Sequence, residues 1–171
     1  MAPIELSVIR DLVAIFSFII GLSYYIMNLR NQERARQMQI ILQTYQKNTN
    51  EDVINRWIEI MYREWETVDE YFTKYTSWTS FWAFSNGLES IGILLKRGLI
   101  DRSLVYEFYP TNVIVFWNKY EPIVVRARER WGNTHYMETV EWLAGELDKE
   151  RISQGRKKPT EYQSFTTPET E

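Results

Sequence analysis

Residues 12–29 read LVAIFSFIIGLSYYIMNL, eighteen in a row without a charge, and Arg30, Arg34 and Arg36 follow. As a helix rising about 1.5 Å per residue the stretch is about 27 Å long, close to the roughly 30 Å hydrocarbon core of a bilayer. Ten of the eighteen residues are Leu, Ile, Val or Phe. Each contributes about 0.3–0.6 kcal/mol near the centre of an inserted helix, together enough to offset Ser17, Gly21, Ser23 and Asn28. A core helix of a soluble protein normally keeps one stripe for water. A cleaved secretory signal has a shorter apolar run with small residues after it, whereas Tyr24-Tyr25-Ile26-Met27 stands here. The stretch is expected to be a transmembrane helix.

Lys and Arg are retained on the cytoplasmic side of such a segment. Arg10 and the terminal amine precede it, beside Glu5 and Asp11, while Arg30, Arg34 and Arg36 follow. The expectation is a single-pass protein of the cell membrane with its N-terminus outside and its larger part in the cytoplasm. Tyr24 and Tyr25 then fall near the cytoplasmic interface, where an amphipathic ring is favoured, and Arg30, Arg34 and Arg36 meet the anionic lipid surface. Ser17 and Gly21 form one small-xxx-small pair of the kind that lets two membrane helices pack closely, so a homo-oligomer is among the expected arrangements.

With an anchor taken out of 171 residues, one soluble domain of ordinary size remains. The chain has no cysteine, which removes disulfides, thiol catalysis and cysteine-ligated metals. A net charge of -3 argues against nucleic acid as a partner, since such binders carry a concentrated basic surface. Seven Trp and eleven Tyr read first as an aromatic-rich core and second as a ligand or partner surface.

Ala35, Met38, Ile41, Leu42 and Tyr45 keep helical spacing beyond the anchor, so the membrane helix continues toward Asn48. Thr49-Asn50-Glu51-Asp52 reads as a helix start with an acidic first turn. Ile54, Ile58, Met61, Trp65, Val68, Phe72 and Tyr75 recur at alternating steps of four and three, which predicts one long helix over 54–75. A helix over 77–97 buries Phe81, Phe84, Leu88, Ile91 and Leu95; Gly98 suits its end, and Gly87 and Gly92 point to close helix approach. Asp101 starts a short helix ending before Pro110. A further helix over 111–131 carries Val113, Trp117, Tyr120, Val124, Ala127 and Trp131 on one seam, interrupted by Pro122. The last starts near Thr134, with Tyr136, Val140, Leu143 and Leu147 inward, and fades near Ile152. Residues 153–171 lack the apolar content to offset the entropy of ordering and read as a flexible tail.

No catalytic arrangement stands out. His135 with Glu138 and Glu141 resembles half of a helical metal site, but a di-metal centre draws paired Glu-x-x-His elements from two helices, and there is one histidine. Glu64, Glu66, Asp69 and Glu70 read as the water-facing side of a helix rather than as acid and base. Neither a Gly-x-Ser-x-Gly turn nor a glycine-rich phosphate loop is present. Arg126 and Arg130, one helical turn apart, are placed to hold a phosphate or carboxylate, against the plainer reading that the basic stretch pairs with the acids of 54–75.

The ordered elements resemble a family of uncharacterised single-pass, membrane-anchored bacterial and archaeal proteins filed as a domain of unknown function. The resemblance rests on Gly21-Leu22-Ser23-Tyr24-Tyr25, Leu29-Arg30, Arg36-Gln37, residues 92–100 with Asp101, Trp117, Pro122-Ile123, Arg126 and Glu141-Trp142-Leu143. It spans about residues 1–150 and implies an anchored helical protein without transferring a catalytic residue. The expected fold is all-α: segment 1–30 with the transmembrane helix over 12–29, continuing into a cytoplasmic bundle of about five helices over 31–152, then the tail. The expected role is a non-catalytic interaction scaffold with membrane lipid and a protein or second copy as partners, and no cofactor or metal. The alternative is a sensor or enzyme for a lipid-like or anionic molecule at Arg126 and Arg130.

Overall fold

In a computed structural model that describes residues 6–157, every regular element is a helix. They are α1 (Leu6–Asn48), α2 (Glu51–Met61), α3 (Val68–Lys74), α4 (Thr79–Lys96), α5 (Arg102–Phe108), α6 (Asn112–Trp131) and α7 (Glu138–Ser153). The chain divides into two units, residues 1–39 and 40–171. Residues 30–36 are exposed and mostly polar. The first unit is a single helical stretch whose apolar window is not buried anywhere. One helix of the described chain is therefore long and apolar enough to cross a membrane.

In the second unit α2 starts one residue later than Thr49 predicts. The Asn50 side chain accepts from Val53 N–H at 2.9 Å, while the Thr49 hydroxyl turns back to donate to the Tyr45 carbonyl. The long helix expected over 54–75 is two helices, α2 and α3. Carbonyls at the end of α2 are taken by α6: the Tyr120 hydroxyl donates to Ile60 O at 2.6 Å and Lys119 Nζ to Met61 O at 2.5 Å. The chain then restarts at Thr67, whose hydroxyl accepts from Glu70 N–H, while the Glu70 carboxylate reaches back to Glu66 N–H at 2.7 Å. This is a variant of the capping box, in which a hydroxyl and an acid three residues on satisfy free N–H groups. Several seam side chains still turn inward, but on two axes: Trp65 packs edge-on against Tyr71 with centroids 4.9 Å apart.

The fold of the remaining chain follows its local signals. Gly98 takes φ +65, and Leu99 N–H closes onto Leu94 O at the end of α4, a turn that costs glycine little. α6 passes through Pro122, whose missing donor falls on the exposed side. α7 begins at Glu138, four residues after the expected Thr134, because residues 133–137 form a turn ending on Met137 at φ +57. The core is aromatic, as the composition predicts. Tyr71, Phe81, Phe116 and Tyr120 are fully buried and meet one another at ring distances between 5.0 and 5.9 Å. Aromatic pairs contribute beyond the area they bury.

α7 runs to Ser153, the first residue of the expected tail. Beyond it the Arg156 carbonyl accepts from the buried Arg151, and the Arg156 guanidinium lies 5.3 Å over the Tyr106 ring, so residues 154–157 stay on the domain. The rest of the expected tail, from residue 158, lies outside the described residues.

Candidate functional site

Tyr24 and Tyr25 are exposed on α1, as are Arg30, Arg34 and Arg36. Arg36 is held by Glu33 in a two-pronged pair at 2.8 and 3.0 Å, and that contact lowers the Glu33 carboxyl below its ordinary value. Arg30 and Arg34 have no carboxylate partner among the described residues. The flank thus carries two unneutralised cations next to the apolar stretch.

Arg126 and Arg130 share one face of α6 but have different occupations. Arg126 contacts Asp69 at 3.6 Å and Glu129 at 3.3 Å, on a shallow groove that also includes Glu121. Arg130 lies over the Phe72 ring at 5.3 Å. An anion entering here would meet three carboxylates around one guanidinium, which weakens its attraction. Arg128, between them, turns the other way and bonds Tyr136 O at 2.8 Å and Glu141 at 2.7 Å.

The acids of 54–75 do not converge. Glu70 caps α3, Asp69 faces Arg126, and Glu64 offers its backbone to Tyr75 and Lys74. His135 pairs with Glu138 at 2.8 Å, while Glu141 belongs to Arg128. Among the described residues no group of three His, Cys, Asp or Glu side chains is placed to hold a metal ion.

The structure assembles an aromatic surface where α3, the start of α4, the end of α6 and the turn before α7 meet. Trp78 contacts Phe72 at 5.3 Å and Trp131 at 5.1 Å, and Trp131 contacts Tyr136 at 5.1 Å. Trp82 donates its indole N–H to the Tyr136 hydroxyl at 3.1 Å, and burial pushes that phenol up to about 12. Trp82 and Trp131 remain 49% and 41% exposed. The seam of α6 predicts Trp131 inward; its place in the last turn, ahead of Gly132, carries it to the edge. The turn behind it is strained: Met137 is buried in a left-handed conformation that costs a non-glycine residue about 1–3 kcal/mol. Arg128 clamps that turn through Tyr136 O. The sequence signal for this surface is Trp78 and Trp82 one helical turn apart, a spacing that puts two indoles on one face.

One apolar helix long enough to span a bilayer, joined to an all-helical domain, defines the class of protein. The family described as a domain of unknown function, DUF4760, matches residues 11–147, most of the chain, and the protein belongs to that family. No curated protein and no solved structure is significantly similar to it.

Proposed function

We propose that this is a single-pass membrane protein with its N-terminus outside and its helical domain in the cytoplasm, and that the domain acts without catalysis as a docking surface for another protein. The observation that carries the first part is that every residue from 12 to 29, around the whole helix, is exposed. Eighteen uncharged, mostly apolar residues facing outward on all sides are solvated better by lipid than by water. The net positive flank at Arg30 and Arg34 supports the orientation.

Support for docking comes from the surface around Trp82, Trp131, Tyr136 and Arg130. Trp, Tyr and Arg dominate the energetics of protein interfaces, and these rings are held by one another and by a clamped turn, so little entropy is lost when a partner covers them.

Because the chain contains no cysteine, a single Ser103→Cys substitution on the exposed start of α5 gives an unambiguous topology probe. An impermeant maleimide should label it only after the cells are opened; labelling of intact cells would reverse the orientation. For docking, the Trp82→Ala and Trp131→Ala pair should remove a crosslinked partner or second copy while the helical signal is kept. An unchanged crosslinking pattern would dismiss the surface.

A further inference from the structure

We propose that the second unit contains a binding pocket for a small, neutral aromatic molecule bearing one hydrogen-bonding group, of the phenol or benzamide class, lodged against Asn48 and Tyr109. This inference stands apart from the docking surface, which is built from other residues.

A cavity of about 150 Å³ opens among the end of α1, α2, α4 and the α5–α6 junction. Its size is that of an apolar cavity able to hold a benzene ring. Its lining includes two ring pairs, Trp57 with Phe84, 4.9 Å apart at centroids, and Tyr45 with Phe108, 5.2 Å apart. Among the described residues no Asp, Glu, Lys, Arg or His lines it. A charged ligand would lose its hydration there without a counter-charge, so the guest is neutral.

Of the polar side chains on its lining, which also include Thr49 and Asn112, Asn48 and Tyr109 give the cavity a direction. The Asn48 side-chain amide donates to the Tyr109 hydroxyl at 3.3 Å. Tyr109 is only 6% exposed, and its own hydroxyl proton is donated to no described residue. The Asn48 amide oxygen likewise accepts from none of them. A largely buried donor and a neighbouring acceptor at the cavity mouth are worth more to a ligand that shields both from water than the same groups in the open. A carboxamide or a phenol supplies the complementary pair.

Gly87 fits the same account. It lies inside α4, where glycine costs about 1 kcal/mol against alanine. It does not face α7 as Gly92 does; a Cβ there would come 3.3 Å from the Asn48 side-chain oxygen. The missing side chain preserves room beside the open acceptor. At the rim, Ala83 is exposed and small.

The test titrates benzamide and benzoate into the full-length protein in detergent, read by saturation-transfer NMR with empty micelles as the reference. Benzamide should bind at about 1 mM or tighter, and benzoate at least about tenfold more weakly. Tyr109→Phe, which keeps the ring, should weaken benzamide about fivefold. Ala83→Phe, at an exposed position, should abolish binding, with both variants matching the parent in circular dichroism. Saturation transfer equal to that of empty micelles, equal affinity for benzoate, or full binding by both variants would each overturn the pocket.

Discussion

Gly92 of α4 packs on Thr139 of α7 so closely that a methyl group added at Gly92 would lie 2.6 Å from Thr139 Cγ2 and 3.1 Å from the Thr139 carbonyl oxygen. The helices must separate to admit it, and overpacking of this kind costs about 1–3 kcal/mol, more than the roughly 1 kcal/mol that alanine returns in helix propensity. Gly92→Ala is expected to destabilise the domain, with Thr139→Ala recovering part of the loss in the double variant. Gly145→Ala is the control: it lies in α7 with none of the described residues within 4 Å of the added methyl. It should stabilise by up to about 1 kcal/mol. Thermal unfolding of the full chain in detergent, followed by circular dichroism, decides both.

Gly92 was legible from the sequence because an interior glycine in a strong helical pattern needs a packing reason. The break between α2 and α3 was not, although its cause was in plain view. From Met61 to Tyr75 the seam holds its period through the break, since Trp65 packs on the core from a non-helical segment, whereas Ile54 and Ile58 are exposed and α2 turns Trp57 and Ile60 inward instead. Where it holds, periodicity records which side chains turn inward and says little about the axis that carries them. The decisive signal was the local one, Thr67 with Glu70 three residues on, and it competed with a seven-residue seam. The aromatic surface was hidden for a similar reason: Trp131 completes an inward pattern in sequence, and only the end of α6 at Gly132 places it at the edge. The cavity at Asn48 and Tyr109 joins residues 61 positions apart, a pairing that no local pattern encodes.

Glu59 and the buried Arg63 make stability depend on acidity. Arg63 is 6% exposed; its guanidinium donates to Glu59 at 2.6 Å and to the Tyr71 hydroxyl at 3.1 Å. Hydrogen bonding from Arg63, and then from Ser80, lowers the Glu59 carboxyl below its ordinary 4.5. A carboxyl with a depressed folded value stabilises above its unfolded value and loses that contribution as pH falls through the folded one. The melting temperature should therefore decline below about pH 4.5 more steeply in the parent than in Glu59→Gln. Parallel profiles for the two proteins would remove Glu59 from the acid transition.

Tyr120 ties α6 to the end of α2 through a hydroxyl fully enclosed in the core. Its loss in Tyr120→Phe leaves the Ile60 carbonyl with the Arg63 N–H at 3.2 Å as its remaining partner. A cost of about 1 kcal/mol is expected, because the ring and its packing are retained. Tyr62→Phe, on the exposed side of the same helix end, should change stability by less than about 0.5 kcal/mol. Equal effects from the two substitutions, measured by urea unfolding, would show that the buried bond contributes nothing.

Ile19 lies near the middle of the exposed apolar stretch, and replacing it tests the solvation argument on which the proposed anchoring depends. An arginine at the centre of an inserted helix costs about 2.5–3.5 kcal/mol and removes the 0.3–0.6 kcal/mol that isoleucine supplied. The combined change rivals the roughly 3–6 kcal/mol contributed by the ten Leu, Ile, Val and Phe residues together. Ile19→Arg should therefore shift a measurable share of the protein from the carbonate-resistant membrane pellet to the supernatant. Ile15→Arg with Ile19→Arg should shift nearly all of it, and Ile19→Leu none. Should the parent itself leave the pellet in carbonate, the stretch does not span the bilayer, and its exposed apolar faces must instead be covered by protein.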